Sequence, residues 1–142
     1  MFAFSATSSK SVERLVVFKT LSMPKKLTFI SEYEFIHGIS PLQEGHIIPC
    51  GSFDNVLGRL KDEMIKTYDS KPLIVISEEN QIESIFQIVK SEKFQSFRGT
   101  SKETMMKIKE LTCGVLIITD AECRGMDIRF GRDAKVLITA NV

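Results

Sequence analysis

The residues best equipped for chemistry lie together at positions 119–128, TDAECRGMDI. They directly follow the apolar run Val115, Leu116, Ile117 and Ile118. A buried strand that ends in Thr-Asp and continues into a short polar turn, Arg-Gly and an acid is how a parallel α/β domain presents groups at its ligand edge. The residue types suit a phosphate-bearing or nucleotide ligand. Arg124 offers a planar fork of donors, Gly125 lets backbone come close, and Asp127 can only accept while ionised. Two other predicted strand ends are polar in the same way, Ser5-Ala6-Thr7 and Ser77-Glu78-Glu79-Asn80. Small hydroxyls there either cap the next helix or bind a phosphate.

The elements that must position these groups alternate short apolar runs with segments of helical period. Residues 2–5 read as a strand, and Val12, Leu15 and Val16 recur at helical spacing until Met23-Pro24. Residues 26–30 and 45–49 read as two short strands, joined by a segment without clean period that contains Gly38 and Pro41. Ser52 is placed to N-cap a helix whose stripe is Val56, Leu57, Leu60, Met64 and Ile65, ending near Tyr68. A buried strand follows at 72–77, a helix at 81–90 and a short strand at 94–97. Thr100 and Glu103 have capping-box spacing and predict a helix start, with Met105, Ile108 and Leu111 inward and Gly114 closing the turn. Strands at 115–118 and 136–140 complete the series. Strands separated by helices of this length imply βαβ crossovers and a mostly parallel central sheet covered by helices on both faces.

Composition limits the function classes. The chain has 142 residues, 43% hydrophobic and 26% charged, with net charge +1, which predicts one domain with a real core and no global basic field. The longest apolar runs fall far short of a membrane span, and the first residues lack a secretory pattern, so an intracellular, cytoplasmic or nuclear, protein is expected. Cys50, Cys113 and Cys123 form no CxxC pair and predict no disulfide framework. His37 and His46 have no partners at ligand spacing, so no metal site is assigned.

In their order along the chain, SAT at 5–7, LIVIS at 73–77, FRG at 97–99 and VLIITDAECRGMDI at 115–128 resemble superfamily-two helicases of the DEAD-box type. The resemblance covers nearly all of residues 1–142 and implies a RecA-like α/β three-layer sandwich, the second motor lobe, preceded by the coupling triplet Ser5, Ala6 and Thr7. It implies nucleic-acid contacts from Ser77, Gly99, Thr119, Asp120 and Arg124, and nucleotide contacts from Arg124, Gly125 and Asp127. ATP and Mg would bind only together with a first RecA-like lobe, which with single-stranded RNA or DNA would be the partner. A purely structural reading of the same residues gives Asp120 a capping role, Arg124 a surface ion pair and Gly125 a turn.

The chain also departs from that family. Arg98 stands where the family has His, and the helix after it lacks the family's Gln and Arg. Ile128-Arg129-Phe130-Gly131 is similar to the DI-x-x-G stretch of SecA protein-translocation ATPases, which makes a polypeptide-moving lobe the rival. No GxxxxGK[ST] loop, DEAD or DExH tetrad, or HRxGRxxR motif occurs. Phosphoryl transfer needs phosphate cradle, metal carboxylate and arginine finger together, so the isolated chain is expected not to hydrolyse ATP. It is read as part of a larger motor, or as a degenerate RecA-like interaction module.

Overall fold

The computed structural model describes residues 27–32, 45–123, 128 and 130–139. The expected strand at 2–5, the helix carrying Val12, Leu15 and Val16, and most of the segment with Gly38 and Pro41 lie outside these residues. So do Ser5, Ala6, Thr7, Arg124, Gly125 and Asp127.

Among the described residues six short strands form one sheet: β1 Leu27–Ser31, β2 Gly45–Pro49, β3 Leu73–Ser77, β4 Ser96–Arg98, β5 Val115–Thr119 and β6 Lys135–Ile138. Their order is β2-β1-β6-β3-β5-β4, and every pairing is parallel. β2 lies outside β1 on one side; on the other, the chain goes from β3 to the edge strand β4 and comes back to place β5 between them. β6 then returns to fill the gap between β1 and β3. The carboxyl ends of β1, β6 and β3 therefore flank the place where the connections diverge, the usual ligand position in an open parallel sheet.

Both faces are covered, which is why β3 (LIVIS) and β5 (VLIIT) are buried at all five positions and carry no polar alternation. Side chains alternate between faces. Leu73, Val75, Val115, Ile117 and Leu137 pack with Val56, Leu60 and Met64 of α1 (Phe53–Thr67) and Ile85 and Val89 of α2 (Ile82–Ser91). Ile74, Ile76, Leu116, Ile118, Val136 and Ile138 pack on the other side with Met105 and Ile108 of α3 (Lys102–Ile108), Ile128 and Phe130. The result is a three-layer α/β sandwich of RecA-like type.

Local signals account for the helix starts. Ser52 caps α1 by accepting from the Asn55 N–H at 3.3 Å, and Asp54 and Lys66 complement the helix dipole at its two ends. At α3 the expectation of a Thr100–Glu103 capping box is corrected. Ser101 is the cap, its Oγ accepting from the Thr104 N–H at 3.2 Å and its hydroxyl pairing with that of Thr104 at 2.9 Å. A hydroxyl one residue later meets the same need of the orphan N–H groups, and the extended backbone of Ser101 aims it there. The fourth strand is also displaced, from 94–97 to Ser96–Arg98, because Phe94 packs against the α1–α2 side of the core and stacks on Tyr68 with ring centroids 4.2 Å apart. That shift puts Arg98 at the end of β4.

Gly131 closes the far side of the α3 layer. Its N–H donates to the Leu111 carbonyl at 2.8 Å, and a Cβ on it would lie 2.9 Å from that oxygen and 3.1 Å from the Lys109 carbonyl. The glycine of the IRFG stretch is thus required by a close backbone approach.

Candidate strand-end site

Hydroxyl residues finish the central strands. Register pairs Ser77 with Thr119 across β3 and β5. Thr139, directly after β6, continues the row by donating its N–H to the Ile76 carbonyl at 2.8 Å. Alternation puts Ser77, Thr119 and Thr139 on the face covered by α1 and α2, and all three are buried. Asp120 belongs to the same edge, since its N–H donates to the Ser77 carbonyl at 3.1 Å.

Two of these hydroxyls are engaged and one is not. Thr139 donates to Oε1 of Gln81 at 3.1 Å, and the same oxygen accepts from the Glu78 N–H at 3.0 Å. Gln81, itself buried, thereby ties the loop after β3 to the end of β6. Ser77 Oγ is fully buried and has no hydrogen-bond partner among the described residues. A buried hydroxyl left without a partner costs about 1–3 kcal/mol, so a polar atom beside it would be stabilising.

Thr119 is held by Glu122. The Thr119 N–H donates to Glu122 Oε1 at 2.9 Å, the Thr119 hydroxyl reaches the same oxygen at 3.1 Å, and the Glu122 N–H donates to Thr119 Oγ1 at 3.1 Å. This reciprocal Thr-x-x-Glu arrangement has the bonds of a capping box, and the Cys123 N–H donates to the Thr119 carbonyl at 3.2 Å behind it. Arg98 arrives from the end of β4. Its guanidinium binds Glu122 Oε1, reaches the Ile117 carbonyl at 3.5 Å, and lies 3.9 Å from Glu79. Gly99 sits beside them with φ +85°, its N–H on the Ile117 carbonyl at 3.1 Å, and a Cβ there would be 3.4 Å from Glu122 Oε2.

The electrostatics follow from these contacts. Burial alone would raise the Glu122 pKa, but the Thr119 N–H, the Arg98 guanidinium and the Thr119 hydroxyl outweigh it and hold the carboxyl below its ordinary value. Glu122 is therefore an anion at neutral pH. The cysteines are quiet by comparison. Burial pushes the Cys50 thiol up against the lowering effect of Arg59, and Cys123 is buried with its Sγ donating to the Asp120 carbonyl at 3.1 Å. Among the described residues no group of three His, Cys, Asp or Glu is arranged to hold a metal ion.

Four residues singled out from the sequence thus meet at one edge of the sheet: Ser77, Thr119 and Asp120 around the ends of β3 and β5, and Gly99 beside Glu122. Arg98, Glu122, Gln81 and Thr139 complete that edge and were not singled out as site residues. The Thr-x-x-Glu spacing at 119–122 was the signal available for Glu122. No helix among the described residues is long and apolar enough to cross a membrane. Comparison of the chain with protein-family models, curated proteins and solved structures finds no match.

Proposed function

We propose that this chain is the second motor lobe of an ATP-dependent helicase, coupling ATP binding and hydrolysis to the remodelling of single-stranded RNA or DNA inside the cell. The observation that carries the reading is the pairing of Ser77 with Thr119 at the carboxyl edge of an all-parallel sheet, at the root of TDAECRGMDI. Thr119 and Ser77 would meet polymer phosphates, with Gly99, Asp120 and Arg124 around them. Arg124, Gly125 and Asp127 would face the nucleotide, and Ser5, Ala6 and Thr7 would couple the two events. ATP and Mg would be held jointly with a first RecA-like lobe, which supplies the phosphate cradle and metal carboxylate.

The test is anisotropy of a labelled single-stranded RNA and its DNA equivalent titrated with the chain across a salt series. Weak binding with a steep salt slope is expected, because a few phosphate contacts release counterions. Tight, salt-insensitive or sequence-selective binding overturns the reading, as does no binding at low salt. In the protein paired with its first lobe, Arg124→Ala and Asp127→Ala should each depress polymer-stimulated ATPase.

A second reading, the motor lobe of a SecA-like polypeptide translocase, is favoured by Gly131. That residue occupies the glycine position of the DI-x-x-G stretch and is packed too closely for any side chain. Selective binding of an unfolded polypeptide in the same anisotropy assay would support it over the first.

A further inference from the structure

Glu122 Oε1 gathers three donors of different kinds: a backbone N–H and a hydroxyl from Thr119, and the Arg98 guanidinium. Fixed amide, hydroxyl and guanidinium donors converging on one oxygen are the set that receives a phosphate or sulfate oxygen. Here the chain fills that set with its own carboxylate. Thr119 is only 4% exposed, whereas the side chains of Arg98 and Glu122 are 30% and 31% exposed. Solvent therefore reaches the acid and the guanidinium, while the threonine donors lie beneath them.

We propose that Glu122 is a built-in gate on this site: its carboxylate occupies the oxyanion position at Thr119 and Arg98, and a polymer phosphate binds there only by displacing it. The gate rests on the polymer-phosphate reading given above for the nature of its ligand. Because Glu122 is three residues from Thr119, it competes at the high effective concentration of an intramolecular group. A phosphodiester brings no more charge than the carboxylate it replaces, so one contact displaces it poorly. Several phosphates engaged at once along the sheet edge can open it, which makes the site respond to a polymer more than to a single anion. Removing the carboxylate also reduces the negative charge at an edge that already carries Glu78, Glu79 and Asp120, and frees Arg98 to face the ligand.

Sulfate is the probe, because it stays a dianion where phosphate titrates. The chain, Glu122→Ala, Glu122→Gln and the double variant Arg98→Ala/Glu122→Ala are titrated with sulfate while the Thr119 amide is followed by NMR. A labelled single-stranded oligonucleotide is titrated in parallel. At least about tenfold tighter sulfate binding is expected for Glu122→Ala, with a shift of the Thr119 amide, and a smaller gain for Glu122→Gln, whose neutral amide keeps the size and an acceptor. The double variant should lose the gain. Sulfate affinities of Glu122→Ala and Glu122→Gln equal to that of the unmodified chain overturn the gate, and Glu122→Gln alone decides if the alanine variant does not fold. A gain for sulfate without one for the oligonucleotide upholds the gate and overturns the polymer reading.

Discussion

Thr119 and Glu122 bind each other in both directions: the threonine N–H and hydroxyl lie on the carboxylate oxygen, and the glutamate N–H lies on the threonine oxygen. The last residue of a buried strand and the turn that follows it are thereby fixed as one unit, with Arg98 clamped to its outer side. Removing the acid should release both. Glu122→Ala is expected to lower unfolding stability by about 1–2 kcal/mol, the range of a lost cap with one charge-assisted bond at a partly exposed position. Urea unfolding of the two proteins at neutral pH measures it, and an unchanged midpoint would show that the unit contributes nothing to the fold.

The same contacts set a pH dependence. The folded-state pKa of Glu122 is depressed, so its contribution is fully present above the unfolded carboxylate value of about 4.3 and disappears as pH falls through the folded value. The stability difference between the unmodified chain and Glu122→Gln should hold steady from pH 7 to about 5 and shrink at lower pH. Denaturation midpoints at a series of pH values test this. A difference that grows on acidification contradicts the assigned contacts.

Two glycines should respond to alanine with opposite signs. At Gly131 the new Cβ meets the Leu111 carbonyl at 2.9 Å, so backbone must move and a loss of about 1–3 kcal/mol is expected. At Gly58, inside α1, nothing lies within 4 Å of the added carbon, and helix propensity should raise stability by about 0.5–1 kcal/mol. Thermal melts of Gly131→Ala and Gly58→Ala compare the two directly.

Ser77→Ala separates packing from binding. The hydroxyl is buried and has no partner among the described residues, so its removal should leave stability unchanged or raise it by up to about 1 kcal/mol. If the hydroxyl serves a bound phosphate, as proposed, oligonucleotide affinity of the same variant should fall while the melting temperature does not. A clear loss of stability would instead mean that Ser77 Oγ holds a partner within the fold.

Most strands and helices of the described residues are legible in sequence because their signals are local. Runs such as LIVIS and VLIIT have no polar alternation, which already implies cover on both faces, and of the predicted stripe Val56, Leu57, Leu60, Met64 and Ile65 the first four pack on the core while Ile65 is exposed. Cap positions were half legible. Ser52 was placed correctly, whereas Thr-x-x-Glu occurs at both 100–103 and 119–122, and only the second pair closes on itself while Ser101 caps α3. Spacing states that a cap is possible; the backbone angles at the candidate decide which hydroxyl takes it.

By itself, then, the sequence determined a parallel α/β sandwich and a polar edge at the ends of β3 and β5, since period and composition act within a few residues. The strand order, with β6 inserted between β1 and β3, was decided by tertiary packing. So was the meeting of Arg98 with Glu122, 24 residues apart, and of Thr139 with Gln81, 58 residues apart. Those contacts arise when separate strands are laid side by side in one register, and no short-range pattern encodes which strand ends will become neighbours.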